Sequence, residues 1–152
     1  MQMDDLKTLY QSVILDHSRN PRNAARPEGT THQARGYNPL CGDQVTVYLA
    51  LSEGVVVAAG FEGKGCALCL ASASLMTERL AGADAAKLES LMSDLQRICS
   101  EEAAEDLANP DEILPLLPLG GVRHYPVRIK CVTLPWQAAK AALTGAKEAT
   151  TE

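Results

Sequence analysis

The chain has 152 residues, of which 46% are hydrophobic and 22% are charged, and this composition suffices for one domain with a buried core. Its 14 Lys and Arg residues against 19 Asp and Glu residues give a formal net charge of -5. That balance argues against a broad phosphate-binding surface, so we expect no nucleic-acid partner.

The longest apolar stretches, residues 55–61 and 66–76, are shorter than the roughly 20 residues that a membrane-spanning helix requires. The amino terminus is acidic and lacks the pattern of a signal peptide. We therefore expect no membrane association and a cytoplasmic location. In that reducing compartment, five cysteines without regular spacing favour metal binding or sulfur chemistry over disulfides.

The amino-terminal half predicts one helix followed by a small sheet. Apolar residues recur at helical spacing over residues 4–18, and an Asn-Pro pair ends that helix. Residues 20–39 are rich in Pro, Gly, Arg and Asn, which predicts a loop with one short edge strand at 31–37. β-Branched and aromatic residues at 44–51 and 55–61, on either side of a Ser-Glu-Gly turn, predict an antiparallel hairpin.

The carboxyl-terminal half is predicted to be mainly helical. Residues 66–81, rich in Ala, Leu, Met and Ser, predict a central helix that ends at Gly82. Asp84 offers an N-cap for a second, amphipathic helix. Prolines and glycines in residues 114–121 predict an irregular connection.

Two prolines mark the starts of the last two predicted helical segments. Pro126 is well placed as the first helical residue of a short segment. Thr133 is predicted to cap a separate final helix with Pro135 in its first turn. We expect residues 1–145 to form a single domain and residues 146–152 to form a flexible tail.

Two turns place sulfur and carboxylate groups in settings suited to chemistry rather than to packing. Gly42 lets the neighbouring side chains of Cys41 and Asp43 converge on one point. Cys66 follows Gly63-Lys64-Gly65 and opens a helical pattern, where unpaired backbone N–H groups favour the thiolate.

Cys131 lies near two cations that suit a metal site. Zinc prefers thiolate ligands, and three cysteines plus Asp43 complete a tetrahedral shell. Such a shell carries about four negative charges against two on the ion, so Arg128 and Lys130 are candidates to offset the remainder and to keep Cys131 nucleophilic. The alternative is that these are small cysteines of the core.

The other two cysteines are predicted to be structural. Cys69 forms a C-x-x-C pair with Cys66 at a helix start, which leaves a redox role open. No thioredoxin-like βαβ pattern surrounds the pair, so a small residue that faces the helix interior is favoured. Cys99 lies on the apolar face of its helix and is predicted to be a core residue.

Four ordered sequence blocks are spread over nearly the whole chain. They are Leu15-Asp16-His17 with Asn20-Pro21-Arg22-Asn23; Asn38-Pro39 through Cys41-Gly42-Asp43; Gly63-Lys64-Gly65-Cys66 with Ala71-Ser72-Ala73-Ser74 and Met76-Thr77-Glu78; and Gly121-Val122 through Tyr125-Pro126-Val127-Arg128-Ile129-Lys130-Cys131 with Thr133-Leu134-Pro135-Trp136. Together these blocks resemble the U-type iron-sulfur cluster assembly family, the IscU/SufU/NifU N-terminal group. The resemblance implies an α+β fold in which a small antiparallel sheet of about three strands packs against a bundle of about five helices.

By position, the resemblance implies that Cys41, Asp43, Cys66 and Cys131 hold a metal or a cluster and that Cys41 accepts sulfur. Arg128 is then a candidate for steering the freed sulfur or for holding the ligand shell through a hydrogen bond. A surface salt bridge is the alternative for this arginine.

Two features resemble the SUF-type branch of this family more than the ISC-type branch. The gap between the second and third cysteines of the set contains an extra helical segment at residues 83–99, and Lys130 stands where ISC-type proteins carry a histidine. Residues 124–128 also depart from the Leu-Pro-Pro-Val-Lys chaperone motif, so chaperone recognition is not carried over.

The SUF-type branch implies a function with a partner. In it, a cysteine desulfurase of the SufS or IscS kind supplies a histidine to zinc and so releases a cysteine that takes the persulfide sulfur. The leading hypothesis is therefore a zinc-dependent sulfur acceptor that serves cluster recipients or other SUF assembly proteins. One alternative is a scaffold on which a [2Fe-2S] or [4Fe-4S] cluster is assembled and transferred, and another is a structural zinc interaction module. Whether the protein is a sulfurtransferase or a non-enzymatic scaffold stays open.

Overall fold

The computed structural model describes residues 3–101 and 104–150, with side chains from residue 11 onward. Among the described residues, no helix combines the length and the apolar character needed to cross a bilayer. The α+β class is confirmed. The elements in chain order are α1 (Met3–Arg19), β1 (His32–Asn38), β2 (Asp43–Ser52), β3 (Val55–Lys64), α2 (Ala67–Thr77), α3 (Ala85–Ser100), α4 (Pro110–Ile113), a 3-10 helix (Leu114–His124), α5 (Pro126–Leu143) and β4 (Glu148–Thr150).

Four strands form one mixed sheet in the order β3-β2-β1-β4. The predicted hairpin is confirmed: β2 and β3 are antiparallel and join through Glu53 and Gly54, whose positive φ values of 52° and 78° fit a type I′ turn. β1 and β2 are also antiparallel, and their pairing ends with Asn38 opposite Asp43. The loop of residues 39–42 therefore lies at one end of the sheet.

The fourth strand differs from the predicted arrangement. β4 pairs in parallel with β1, with Gly36 opposite Ala149. β1 consequently lies between two strands, and its predicted edge position is wrong. Part of the segment 146–152, predicted as a flexible tail, thus lies against the sheet, while the assignment of residues 1–145 to one domain stays a prediction. A three-residue strand is too short to show an alternating pattern in the sequence.

The hydrophobic core lies between the sheet and α5, which packs on β1 and β2 and also contacts α2 and α3. Gly36 permits this close approach, because a Cβ added there would lie 3.0 Å from Leu134 Cδ1. The buried indole N–H of Trp136 donates to Ser72 Oγ at 3.0 Å, and the Ser72 hydroxyl donates to the Val132 carbonyl at 2.6 Å. These bonds fix α2 against α5.

The last helix is longer than the sequence predicts. Pro126 begins it, as predicted, but α5 continues without a break to Leu143, so the separate helix capped by Thr133 is wrong. Pro135 lies inside α5, where it removes one backbone hydrogen bond at a cost of about 3 kcal/mol. Full burial of Leu134 and Trp136 on either side of it favours the continuous helix.

Residues 114–124 form a 3-10 helix rather than the predicted irregular connection. Leu116, Leu119 and Val122 recur every third residue and are all buried. A helix of three residues per turn places such residues on a single face, so burial of that face explains the conformation. The prolines and glycines of this segment predict a loop from the sequence, although its apolar residues recur every third position.

The boundaries of α2 and α3 follow local capping. α2 ends at Thr77 rather than at residue 81, and Gly82, with φ 85°, lies in the following turn, where its N–H donates to the Val56 carbonyl at 2.8 Å. Asp84 is the N-cap of α3, as predicted, and its carboxylate accepts the N–H of Lys87 at 2.8 Å.

Ser72→Ala is expected to lower the free energy of unfolding by about 1–3 kcal/mol, because the buried indole N–H of Trp136 loses its acceptor. Denaturant titration followed by the fluorescence of Trp136, the only tryptophan, measures the change. Ser100→Ala is the control, since that exposed serine also bonds a helix carbonyl, and it should change the free energy by less than about 0.5 kcal/mol. Equal losses in the two variants would contradict the assigned role of Ser72.

Candidate metal centre

The loop of residues 39–42 presents the first cysteine of the site at the end of the sheet. The N–H of Gly42 donates to the Asn38 carbonyl at 2.9 Å, and Gly42 has a φ of 70°, a left-handed conformation that glycine adopts without strain. Cys41 is half-buried in this loop, whereas Asp43, the first residue of β2, is fully buried. The sequence prediction of a glycine turn between two converging side chains is confirmed.

α5 brings the third predicted cysteine to the same place. Cys131 is buried, and its Sγ lies 3.5 Å from Cys41 Sγ. One sulfur each from Cys41 and Cys131 and one carboxylate oxygen of Asp43 lie within 4.8 Å of one another, a spacing at which they could hold a metal ion. Cys41 and Cys131 are 90 positions apart in the chain, so the fold rather than the local sequence creates the cluster.

Cys66 borders this cluster from the start of α2. It is the N-cap residue of that helix, and its backbone N–H donates to Asp43 Oδ1 at 2.9 Å. Its sulfur lies 4.0 Å from Asp43 Oδ2. The carboxylate thus occupies the positive end of α2, where an anion is favoured. Three of the four residues that the sequence predicts as ligands thus form the cluster, and Cys66 adjoins it through Asp43. The role of all four as ligands remains a proposal.

Close glycine contacts shape the space around the carboxylate. A Cβ added at Gly65 would lie 2.7 Å from Asp43 Oδ1, and one added at Gly63 would overlap the Gln44 carbonyl oxygen. Neither position has room for a side chain. Gly65 therefore lets Asp43 approach the start of α2, whereas Gly63 belongs to β3 rather than to the predicted turn and lies close to the backbone of β2.

Asn38 is a site residue to which sequence reasoning gives no role. It is fully buried, and its amide nitrogen lies 3.4 Å from Asp43 Oδ2 and 3.7 Å from Cys131 Sγ. A signal exists in the sequence: Asn38 continues the buried alternation of Ala34 and Gly36 along β1, which makes it a polar residue on a core-facing position.

The electrostatics of Cys131 differ from the sequence expectation. Burial raises the pKa of this thiol above its ordinary value, and hydrogen bonds with Cys41 and Asp43 add to the effect. The expectation that nearby cations keep Cys131 nucleophilic is therefore wrong for the metal-free protein, in which the sulfur is protonated at neutral pH. A bound metal displaces such protons, because metal ligands must be deprotonated.

The two predicted cations differ in their relation to the sulfurs. Arg128 is exposed and its Nη1 lies 3.9 Å from Cys41 Sγ. Its own pKa is raised, first by hydrogen bonding to Cys131 and then by the charges of the surrounding cysteines. Over residues 11–101 and 104–150, Arg128 has no ion pair with a carboxylate, and no hydrogen bond or ion pair joins Lys130 to the cluster. The geometry favours a role at the site for Arg128 and gives none to Lys130.

Cys69 and Cys99 are core residues, as predicted. Both thiols are fully buried, and burial raises their pKa values, that of Cys99 to about 12. Both thiols also lie outside the cluster of Cys41, Asp43 and Cys131, and a buried thiol of raised pKa is a poor nucleophile. The redox pairing of Cys69 with Cys66 is therefore disfavoured.

Two thiols and a carboxylate that lie together, with the thiol of Cys66 at their border, fit a thiophilic divalent metal better than Mg²⁺ or Ca²⁺, which take oxygen ligands. A family model described as the NifU-like N-terminal domain matches residues 9–151 of the chain. The chain belongs to this NifU-like family. The resemblance drawn from the four sequence blocks is confirmed.

Relatives of this NifU-like chain are named either as sulfurtransferases or as scaffold proteins. A Bacillus subtilis protein named zinc-dependent sulfurtransferase SufU is 36% identical over 137 residues, which cover 88% of each chain. A Thermotoga maritima protein named iron-sulfur cluster assembly scaffold protein IscU is 34% identical over 137 residues, which cover 90% of this chain and 94% of that protein. The crystal structure of the N-terminal part of a nitrogen-fixing NifU-like protein from Brucella abortus matches with a TM-score of 0.75 at 27% identity, covering 91% of this chain and 94% of the other.

The difference in burial among the cysteines predicts their reactivity. At about pH 8, iodoacetamide should modify Cys41 and Cys66 of the metal-free protein and leave Cys69 and Cys99 unmodified, because a raised pKa keeps these two as neutral thiols until the pH approaches it. Peptide mass spectrometry after timed alkylation measures this. Labelling of Cys69 in the folded protein as fast as that of Cys41 would show that the assigned burial is wrong.

Gly65→Ala is expected to weaken the binding of Co²⁺, used as a probe, by about tenfold or more, because the added methyl group displaces Asp43 from its position. Absorbance titration with cobalt measures the affinity. Gly121→Ala is the matched control, since a Cβ there meets no atom within 4 Å, and it should leave the affinity unchanged. Unchanged binding in Gly65→Ala would show that the position of Asp43 does not matter to the metal.

Proposed function

We propose that this protein accepts persulfide sulfur on Cys41 from a cysteine desulfurase, with zinc as its resident metal, and supplies iron-sulfur cluster assembly. The observation that carries the proposal is the cluster of the Cys41 and Cys131 thiols with the buried Asp43 carboxylate, which Cys66 adjoins; in this cluster Cys41 lies on a loop beside Arg128. The names of the relatives from Bacillus subtilis and Thermotoga maritima support zinc-dependent sulfur transfer and cluster assembly, respectively. We place this function in the cytoplasm, where thiols stay reduced.

Cys41, Asp43, Cys66 and Cys131 are the residues that would hold the zinc. When bound, zinc keeps cysteines as thiolates at neutral pH and protects them from side reactions. The protein supplies donors that offset the anionic charge of this set: the N–H of Cys66 to Asp43 and the guanidinium of Arg128 to Cys41. These donors make it less costly to hold several anions together.

Cys41 is the sulfur best placed to take part in transfer. Cys131 is fixed in the buried face of α5, whereas Cys41 lies half-buried in the short loop that contains Gly42. The Cys41 thiolate attacks the terminal sulfur of the desulfurase persulfide; the S–S bond of that persulfide breaks and the desulfurase cysteine leaves as a thiolate. The transferred sulfur keeps its proton, so Cys41 becomes a persulfide and no external oxidant or reductant is needed.

Exposed apolar side chains beside the site favour a protein partner. Leu40 precedes Cys41 and is 67% exposed, and Tyr125 and Val127, close to Arg128 in sequence, are 65% and 61% exposed. Exposed apolar side chains gathered around a reactive group are typical of a docking surface. The desulfurase that delivers the sulfur is the partner that this surface would meet.

A scaffold function is the second candidate, because the same thiols and carboxylate are also able to hold an iron-sulfur cluster, with Asp43 as a more labile oxygen ligand. Anaerobic reconstitution with iron and sulfide, followed by transfer to an apo-ferredoxin, would favour this candidate. A purely structural zinc module does not require a cation beside Cys41, so the Arg128 contact disfavours it.

Incubation with a purified cysteine desulfurase and cysteine is expected to add one sulfur atom to Cys41, as read by intact-mass and peptide mass spectrometry. Cys41→Ser should abolish this gain, because the nucleophile is lost, while Cys69→Ser, a substitution in a buried thiol outside the site, should retain it. Sulfur found first on Cys66 or Cys131, or retained in Cys41→Ser, would contradict the assignment of the acceptor.

A further inference from the structure

Asn38 is a buried polar side chain next to the proposed metal ligands, and the sequence motif assigns it no role. It is the last residue of β1 and is fully buried, opposite Asp43 in the pairing of β1 with β2. A buried amide that contacted no polar group would cost about 1–3 kcal/mol, so the partners of Asn38 account for an asparagine in the core. Those partners are groups of the metal centre.

The contacts of the Asn38 amide fix its orientation. The backbone N–H of Leu40 donates to Asn38 Oδ1 at 3.3 Å, which leaves the NH₂ group to face the site. Its nitrogen lies 3.4 Å from Asp43 Oδ2, a long contact for oxygen, and 3.7 Å from Cys131 Sγ, an ordinary contact for sulfur. One neutral donor group therefore faces two of the four proposed ligands.

Charge explains why a neutral donor suits this position. Three thiolates and a carboxylate leave a net negative charge after binding a divalent ion, and Cys131 lies too deep for solvent to offset its share. Arg128 contacts Cys41 at the surface, and the Cys66 N–H meets Asp43 Oδ1. The Asn38 amide serves the remaining oxygen of Asp43 and the buried sulfur. Donors of this kind orient metal ligands and stabilise their charged forms.

We infer that Asn38 is a positioning residue of the metal centre, holding Asp43 and Cys131 in the arrangement that binds zinc by donating its amide hydrogens to both. The inference rests on the proposed function, because it assigns a role toward the zinc that the four ligands would hold. It adds that metal affinity depends on a residue that does not itself bind the metal. The polar end of β1, and not only the turn that follows it, is then part of the site.

The test compares two buried asparagines that each donate to a buried carboxylate. Asn38→Leu preserves side-chain volume and removes the donors at the site. Asn109→Leu is the matched control: the amide of Asn109 donates at 3.0 Å to Asp94 on α3, a helix that carries none of the four proposed ligands, and Asp94 keeps the backbone N–H groups of Ala108 and Asn109. Zinc affinity of the full chain is measured by competition with a chromophoric chelator, and cobalt spectra report the thiolate-to-metal charge-transfer bands.

Asn38→Leu is expected to bind zinc about tenfold or more weakly and to shift the cobalt charge-transfer bands, because Cys131 loses its donor. Asn109→Leu should keep the wild-type affinity and spectrum. A loss smaller than tenfold in Asn38→Leu, unshifted bands, or a comparable loss in Asn109→Leu would overturn the inference. Should circular dichroism show that Asn38→Leu does not fold, Asn38→Ser, whose hydroxyl is too short to replace the amide, is measured against the same threshold.

Metal binding by the wild-type protein distinguishes failure of the proposed function from failure of the role of Asn38. If the wild-type chain binds neither zinc nor cobalt through its cysteines, the proposed function fails. If it binds them and Asn38→Leu binds them equally well, only the role of Asn38 fails.

Discussion

The burial of the Asp43 carboxylate is the constraint on which the site depends. A buried anion must be met by donors, and Asp43 receives the N–H of Cys66 at 2.9 Å and faces the amide of Asn38 at 3.4 Å. The first contact fixes the start of α2 and the second fixes the end of β1. Because Cys131 also contacts Asn38, α5 joins the same arrangement. One carboxylate thus links the elements that carry the sulfurs.

Packing elsewhere in the molecule serves this arrangement. Gly36 lets α5 lie close against β1, and the uninterrupted helix from Pro126 to Leu143 places Cys131 on its buried face, directly before Val132. A helix that began at Thr133 would leave Cys131 in a loop, without a defined distance to Cys41. The hydrogen bond that Pro135 forfeits is therefore the cost of a rigid position for one sulfur.

The parts of the fold that the sequence predicts are those set by local chemistry. β-Branched and aromatic residues on either side of a Ser-Glu-Gly turn identify the β2–β3 hairpin, and an aspartate N-cap identifies the start of α3. Gly42 together with the family resemblance identifies Cys41 and its neighbours. What the sequence does not predict depends on distant contacts. β4 exists through its pairing with β1, Asn38 acquires its role from Cys131, and burial of Cys131 outweighs the nearby cations.

The site combines a sulfur on the buried face of a helix with a half-buried sulfur in a loop. Cys131 is buried and fixed, while Cys41 lies in a short loop beside the exposed Arg128. Both sulfurs are expected to share one zinc shell with Cys66 and Asp43. X-ray absorption at the zinc edge of the zinc-loaded protein should then show about three sulfur neighbours near 2.3 Å and about one oxygen near 2.0–2.2 Å. A shell of nitrogen and oxygen alone, or one with fewer than two sulfurs, would rule out this shared shell.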